Sequence, residues 1–414
     1  MSQKETNLTQ SRRNFLKKGI AGIAGAALLP PIMNGETTSP LPNKPQSIKK
    51  SKMIYRTLGK TGMKVPIVSM GVMNADNPNL VKAALDSGIT FLDTAWYYQA
   101  GRNEEMIGQV VKGRPRDSFY IATKVWEPRD RSTDLFPPDA KEDTFIQKFE
   151  TSLKRLGLDY VDILYLHSIS RKESITFEPY LNALKKFKKE GKVRFIGVTT
   201  HRNEPEVIQA TVDSKEYDVI LTAYNFKQPY HADVKKAIDN AAKAGLGVVA
   251  MKTQAGVYWD DKTRKYPIDM KAALKWALQN ENVHTAIPGF TTFDQLELDL
   301  TVMEDLNLTD QEKTNLNPPA EIKTLAGLYC QQCGTCTKQC PTPFDIPNLM
   351  RSYMYAYGYK NLEQARITLD AENLANIPCK NCNTCKINCS MGFDIKNRIL
   401  DITRLKDVPM EFLG

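Results

Sequence analysis

Tyr160-Val161-Asp162-Ile163-Leu164-Tyr165-Leu166-His167-Ser168 is the stretch that decides the fold. Its run Asp162 to Tyr165 has strand length, and it lies between two segments apolar at helical spacing, Thr144 to Leu156 and Glu178 to Glu190. A second short run, Val193 to Ile196, follows at once, so the order is helix, strand, helix, strand, as in parallel strands joined by crossover helices. The alternation continues in both directions. Ile67 to Met70, Thr90 to Asp93 and Phe119 to Ala122 precede it, and Val219 to Thr222, Gly247 to Ala250 and His284 to Ile287 follow. Pro78 to Ser87, Ala232 to Ala244 and Asp269 to Gln279 are helical spacers of the same kind. Eight such units predict an α/β protein built on a TIM-type (β/α)8 barrel over 53–318. The competing reading is a doubly wound open sheet, but no Gly-x-Gly-x-x-Gly turn follows the first strand.

The 414 residues allow two or three domains, and 42% hydrophobic with 25% charged residues is the composition of a soluble globular protein. Net charge is +9, yet residues 1–52 alone hold nine Lys or Arg against Glu5 and Glu36. The 47 basic and 45 acidic residues left on the body give only +2, too little for a nucleic-acid footprint. No nucleic-acid partner is expected. All eight cysteines lie in the last 85 residues, which marks that segment as a site of its own.

Ser11-Arg12-Arg13-Asn14-Phe15-Leu16-Lys17-Lys18, the apolar Gly/Ala-rich run Gly19 to Leu29 and Pro30-Pro31 resemble a twin-arginine export signal. The resemblance implies a signal segment over 1–34, the twin-arginine export machinery as a partner, and a periplasmic or exported protein, membrane-anchored if the segment is not cleaved. The competing reading is a basic amphipathic helix, against which the run lacks helical periodicity. Residues 35–52, rich in Pro, Ser, Thr and Lys, read as a flexible linker.

A barrel places its active site at the C-terminal ends of the strands. Those ends carry Asp93, Tyr98, Lys124 and His167 within Phe-Leu-Asp-Thr-Ala-Trp-Tyr-Tyr (91–98) with Asn103-Glu104, Ile-Ala-Thr-Lys (121–124) and Tyr-Val-Asp-Ile-Leu-Tyr-Leu-His-Ser (160–168). These stretches resemble the aldo-keto reductase family, with the likeness running from 53 to about 310. The resemblance implies a catalytic tetrad of Asp93, Tyr98, Lys124 and His167. Hydride reduction of a carbonyl builds negative charge on oxygen, so Tyr98 is expected to donate the proton, with its pKa brought down from about 10 by Lys124. Asp93 would hold Lys124, and His167 would orient the carbonyl. Singly, each residue also fits a structural role: a helix cap, a rim aromatic, a surface charge, a core histidine.

The resemblance also implies an NADP or NAD site at Gly71, Thr199, Thr200, Met251, Lys252, Gly289 and Thr291. Here the chain departs from the family pattern. Leu221 stands where a carboxamide-binding Gln is usual, Met251 replaces a stacking aromatic, and Ile-Pro-Gly-Phe-Thr-Thr (287–292) lacks the Lys and Arg that grip a 2′-phosphate. Plain strand-end hydroxyls are the alternative reading of Thr199 and Thr200. Loops such as Glu127 to Asp143 are expected to set specificity for a small carbonyl or alcohol substrate.

Cys330, Cys333, Cys336 and Cys340-Pro341 spell C-x2-C-x2-C-x3-C-P, and Cys379, Cys382, Cys385 and Cys389 repeat the spacing. This resembles a bacterial-type two-cluster ferredoxin. The resemblance implies two [4Fe-4S] clusters in 319–414, one on Cys330, Cys333, Cys336 and Cys389, the other on Cys379, Cys382, Cys385 and Cys340. Zinc sites or disulfides are the alternatives, but zinc does not explain the third and fourth cysteines at fixed offsets, and three cysteines within seven residues pair poorly. Helical patterns over Ile346 to Gly358 and Leu362 to Asn373 make the domain mainly helical. The leader agrees with this reading, since iron–sulfur centres are built in the cytosol and a twin-arginine route carries folded proteins. The rival function is an electron-transfer or structural module, passing electrons to a partner, whose barrel does not use nicotinamide. Hydride carries two electrons and each cluster takes one, and no flavin fingerprint is visible, so the clusters are structural or act in a separate step.

Overall fold

The computed structural model describes residues 53–413 apart from 131, 256–267, 318–329, 331, 343, 373, 375–376 and 383–384. The export-type leader, the linker and the end of the helical pattern at Asn373 fall outside the described residues.

A hairpin opens the described chain: β1 (Tyr55–Thr57) pairs antiparallel with β2 (Lys64–Pro66). Its turn residues Leu58 and Met63 are fully buried and pack on Phe91, Ile163, Tyr165, Val219, Leu221 and Val249, so the hairpin plugs one end of the barrel. Gly247 makes the room, because a Cβ there would stand 2.6 Å from the Leu58 side chain. Arg56 ties the hairpin down by donating to the carbonyls of Leu278 (2.9 Å) and Val283 (2.5 Å).

Eight parallel strands follow, each hydrogen-bonded to the next: β3 (Met70–Gly71), β4 (Phe91–Asp93), β5 (Tyr120–Val125), β6 (Val161–Leu166), β7 (Val193–Thr200), β8 (Val219–Ala223), β9 (Gly247–Met251) and β10 (Thr285–Ala286). A parallel bridge from Val68 to Ala286, with Ser69 N donating to Ala286 O (2.8 Å), closes the ring. Every strand predicted from the apolar runs is present. Those runs are legible because strands covered on both faces are apolar throughout.

Around the ring lie α1 (Pro78–Asp86), α2 (Arg102–Val111), α3 (Glu142–Leu156), α4 (Glu178–Lys189), α5 (Glu204–Ser214), α6 (His231–Lys243), α7 (Met270–Leu278) and α8 (Phe293–Leu300). Local chemistry sets their ends. Asn77 caps α1 with Pro78 in the first turn, while α3 begins on Glu142-Asp143, ends on Lys154-Arg155 and stops at Gly157 with φ 63°. Each helix turns its apolar stripe onto the strands, as Phe145, Phe149, Leu153 and Leu156 do in α3.

After α9 (Asp310–Leu316) the C-terminal part contains α10 (Thr335–Gln339), α11 (Ile346–Tyr357), α12 (Leu362–Asp370) and α13 (Ile395–Ile402). It carries an internal repeat beyond the cysteines. Cys340-x3-Phe344-Asp345-Ile346 and Cys389-x3-Phe393-Asp394-Ile395 both lead into a helix, and both aspartates cap it, accepting from Asn348 N and Asn397 N at 3.1 Å. This part shares one compact unit with the barrel. Arg102 forms a two-pronged ion pair with Glu363 (2.5 and 3.2 Å), Arg202 pairs with Asp345 (3.0 Å) and Asn361 donates to Asn74 (3.1 Å).

The plug makes a stability prediction. Leu58→Ala is expected to lower unfolding stability by about 2–5 kcal/mol, as large-to-small core changes do. Denaturant titration measures it, and a change below about 1 kcal/mol would make the hairpin a surface ribbon.

Candidate active site

Lys124 and Asp93 stand on adjacent strands, each about 2% exposed, and Lys124 Nζ donates to Asp93 Oδ1 and to Thr94 O (2.6 Å). Burial raises the Asp93 carboxyl and lowers the Lys124 amine, against the attraction of the pair itself. Tyr98 Oη lies 3.5 Å from Lys124 Nζ. The His167 ring sits 6.3 Å from that of Tyr98, centroid to centroid, and Tyr97 stacks on it at 5.3 Å. All four sequence-predicted residues therefore meet at one point.

The loop bearing Tyr98 is held from behind. Asn103 accepts from Thr94 Oγ1 (2.6 Å) and donates to Val72 O (2.7 Å), while the buried Glu104 accepts from Thr123 Oγ1 (2.6 Å) and Arg155 (3.3 Å). Directly after Tyr98, Gln99 and Ala100 take left-handed backbone (φ 51° and 54°), and Gln99 donates to Met73 O and Ala75 O. Ser168, Lys252 and Ala255 are left-handed too, at φ 62°, 57° and 49°. Such backbone costs about 1–3 kcal/mol per residue and tends to gather at functional sites.

The structure corrects one expectation. Tyr98 is about 8% exposed, and burial, with Tyr97, Asp93, Tyr355 and Tyr359 around it, raises its phenol well above 10 rather than lowering it. The lysine is within reach but does not offset desolvation. The phenol is thus protonated, the form a proton donor needs. Burial, with the charges of Lys124, Arg129, Arg351 and Lys252, drives His167 well below its usual value, so its ring is neutral. Its Nδ1 has no partner among the described residues.

These groups border a cavity of about 320 Å3. Of the residues assigned to a dinucleotide, Gly71, Met251, Lys252, Gly289 and Thr291 line it. Thr199 and Thr200 do not. Both are fully buried with their hydroxyls engaged by the chain itself: Thr199 accepts from Ser168 N (2.7 Å), and Thr200 donates to Arg202 O (3.0 Å). Leu221 packs inside the barrel and offers no polar atom. Burial and the charge of Arg351 lower Lys252 to about 7. What the strand ends offer a nucleotide is the open space at Gly289 and the amine of Lys252. A Cβ at Gly71 would stand 2.9 Å from Ile287 O, one at Gly289 would meet only Gly71 O at 3.7 Å, and Lys252 lies alongside.

Sequence reasoning missed the far wall. Asn348, Arg351, Met354 and Tyr355 of α11, Tyr359, and Gln364, Ile367 and Thr368 of α12 line the same cavity, so the C-terminal part roofs the barrel mouth. His201 and Ser168 join it from the barrel. Arg351 Nη1 donates to His201 Nε2 (2.9 Å), so Nε2 carries no proton, Ser168 Oγ also donates to it (2.9 Å), and Nδ1 donates to Gln332 (2.9 Å). Two signals were available: the chain has only four histidines, and Asn348, Arg351 and Tyr355 share one helix face.

The cysteines fall into two sets across the two motifs. Cys330 has Cys333, Cys336 and Cys389 as charge neighbours, and Cys379 has Cys340, Cys382 and Cys385. Burial first, then the other thiols, pushes Cys330 up to about 12 and Cys379 up to about 11, so four thiolates would need a cation to balance them. Among the described residues no three His, Cys, Asp or Glu side chains lie close enough to grip a single ion. A four-iron cluster takes one thiolate per iron and spreads them further apart.

Residues 62–272 match the Aldo/keto reductase family, and residues 329–394 match the 4Fe-4S dicluster domain. L-galactose dehydrogenase of Arabidopsis thaliana is 26% identical over 306 residues, covering 64% of this chain and 93% of that protein. Methylglyoxal reductase DkgB of Salmonella typhi is 28% identical over 263 residues, 61% of this chain and 91% of its own. Among solved structures, the holo form of an aldo-keto reductase from Bacillus halodurans shares the fold with a TM-score of 0.52 at 23% identity, covering 64% of this chain and 95% of that one.

Proposed function

Since the chain belongs to the aldo-keto reductase family and carries a 4Fe-4S dicluster domain, it is an oxidoreductase for small carbonyl or alcohol compounds, and we propose that it interconverts the two by hydride transfer with NADPH or NADH. The observation that carries this is the meeting of Lys124, Asp93, Tyr98 and His167 at the floor of one cavity. A bound nicotinamide dinucleotide would supply the hydride, with Met251, Lys252, Gly71, Gly289 and Thr291 holding it. Everything else falls to the chain's own side chains. Tyr98 Oη and the neutral His167 ring take the carbonyl oxygen between them and so aim the carbon. As hydride reaches carbon and charge grows on oxygen, the phenol gives up its proton, and the product is the neutral alcohol. The phenolate left behind lies 3.5 Å from the Lys124 ammonium, which stabilises it until a proton returns. Asp93 keeps that ammonium charged and in place. Oxidation of an alcohol runs the same steps backwards.

For the dicluster domain we propose two [4Fe-4S] clusters, on Cys330, Cys333, Cys336 and Cys389, and on Cys379, Cys382, Cys385 and Cys340. The crosswise grouping of the thiols supports this set. We further propose that the leader exports the folded, cluster-loaded chain through the twin-arginine route. A relay role beside the reductase is favoured by one observation: Gln332, between Cys330 and Cys333, accepts from His201 Nδ1 on the cavity wall (2.9 Å), so the first cysteine motif stands against the barrel mouth.

Tyr98→Phe keeps the ring and deletes the proton. Turnover of a carbonyl panel is expected to fall by about 10²- to 10⁴-fold, the usual range of general acid catalysis, while nucleotide binding by fluorescence persists. Normal turnover in this variant would end the reductase reading. Protein purified anaerobically should be brown, with about eight irons per chain. Cys340→Ser should harm the cluster of the second motif more than that of its own, read by electron paramagnetic resonance. Replacing Arg12 and Arg13 with Lys should hold the protein in the cytoplasm on fractionation, and unchanged export would reduce the leader to a plain basic helix.

A further inference from the structure

Among the described residues the cavity wall carries three cations, Lys124, Lys252 and Arg351, and Arg129 and Arg202 do not line it. Lys124 is paired with Asp93, Arg129 with Asp134 (3.5 Å), and Arg202 with Asp345 (3.0 Å). Arg351 differs. It donates to His201 Nε2 and Asn348 Oδ1, both neutral, and it forms no ion pair among the described residues. A guanidinium has five N–H donors in a planar fork, so three remain without a partner among those residues. The side chain lines the cavity, and its charge acts on Tyr97, Tyr355, His167, His201 and Lys252. Asp93, already paired, is the only carboxylate on the cavity wall among the described residues. An uncompensated guanidinium in a partly buried pocket wants an anion.

Resting on the reductase reading, we propose that Arg351 makes this a site for carbonyl compounds that carry a carboxylate. The guanidinium fork would take the carboxylate at the roof while Tyr98 and His167 take the carbonyl oxygen at the floor. Tyr97, Met354, Tyr355 and Trp126 give the carbon chain between them an apolar wall. His201 fixes the fork. Its Nε2 accepts from Arg351 and from Ser168, and its Nδ1–H is spent on Gln332, so it orients the guanidinium without neutralising it. The specificity element thus sits on α11 of the dicluster domain and not in the barrel loops alone. The other source of the same chemistry is a phosphate of the nucleotide, which the test separates.

The cluster-loaded protein is used throughout, and Trp96 and Trp126 on the cavity wall report binding by fluorescence. Valerate and valeramide have no ketone or aldehyde and differ in one group, an anionic carboxylate with two acceptor oxygens against a neutral amide with one; levulinate and levulinamide are the reducible counterparts. Wild-type protein should bind valerate more tightly than valeramide, and turn over levulinate with a higher kcat/KM than levulinamide, each by about 10- to 100-fold, the range for a hydrogen-bonded charge. Arg351→Met, checked for unchanged iron content, should abolish both preferences, and Arg351→Lys should keep part of them. No preference in the wild type overturns the proposal whether or not any variant folds. It is also overturned if Arg351→Met keeps the preference, or weakens NADPH binding and leaves valerate binding alone. If valerate binds through Arg351 while neither levulinate nor levulinamide is reduced with added nucleotide, the anion site stands and the reductase reading falls.

Discussion

A lysine and an aspartate buried on neighbouring strands set the terms for everything near them. Neither charge tolerates that depth alone, since an unpaired buried ion costs several kcal/mol. Lys124 and Asp93 are therefore bound to each other, and the register that pairs β4 with β5 keeps their strands side by side. The lysine fixes where a phenol can be useful, and the strained Gln99-Ala100 turn puts Tyr98 there. Backbone strain, the Asn103 and Glu104 anchors and the cavity floor all follow from holding a hydroxyl beside a buried ammonium.

Much of this was legible in the sequence, and what was not has a physical reason. The barrel strands are covered on both faces, so their apolar runs are unambiguous, and the tetrad residues sit at their ends. The hairpin strands β1 and β2 are three residues each and partly exposed, at Tyr55, Thr57 and Lys64, and so short a stretch leaves no periodicity to read. The family resemblance assigns Thr199 and Thr200 to a ligand, with plain strand-end hydroxyls as the alternative. Only the folded chain shows that Ser168 N and Arg202 O use their hydroxyls. The phenol of Tyr98 followed the same rule: its partner Lys124 was visible in the sequence, but the burial that raises its pKa, and the neighbours Tyr97, Asp93, Tyr355 and Tyr359 that add to it, exist only in the folded chain.

The roof was illegible for another reason. Helix α11 is predicted correctly as a helix, yet which of its faces meets water is decided by side chains 150 positions away in the sequence, as between Arg351 and His201. Local periodicity carries no such information. The result joins two chemistries in one chamber: a floor that handles a proton and a wall, carried by a cysteine-rich segment, that supplies positive charge. Charge at the wall also bears on the floor: burial keeps His167 neutral and able to act as a hydrogen-bond donor, and the positive charge of Arg351 adds to that effect.

The roof also imposes an order on biosynthesis. Residues that join the roof to the barrel are far apart along the chain, Asn74 and Asn361 by 287 positions and Arg102 and Glu363 by 261. A chain emerging from the ribosome completes all eight strands before its roof helices exist, and domains fold as units from the N-terminal side. The nascent barrel thus carries a finished floor under an open mouth, and its chamber closes only when the last segment has been made and has folded. Maturation of the C-terminal segment is in that sense the step that turns a folded barrel into an enclosed site.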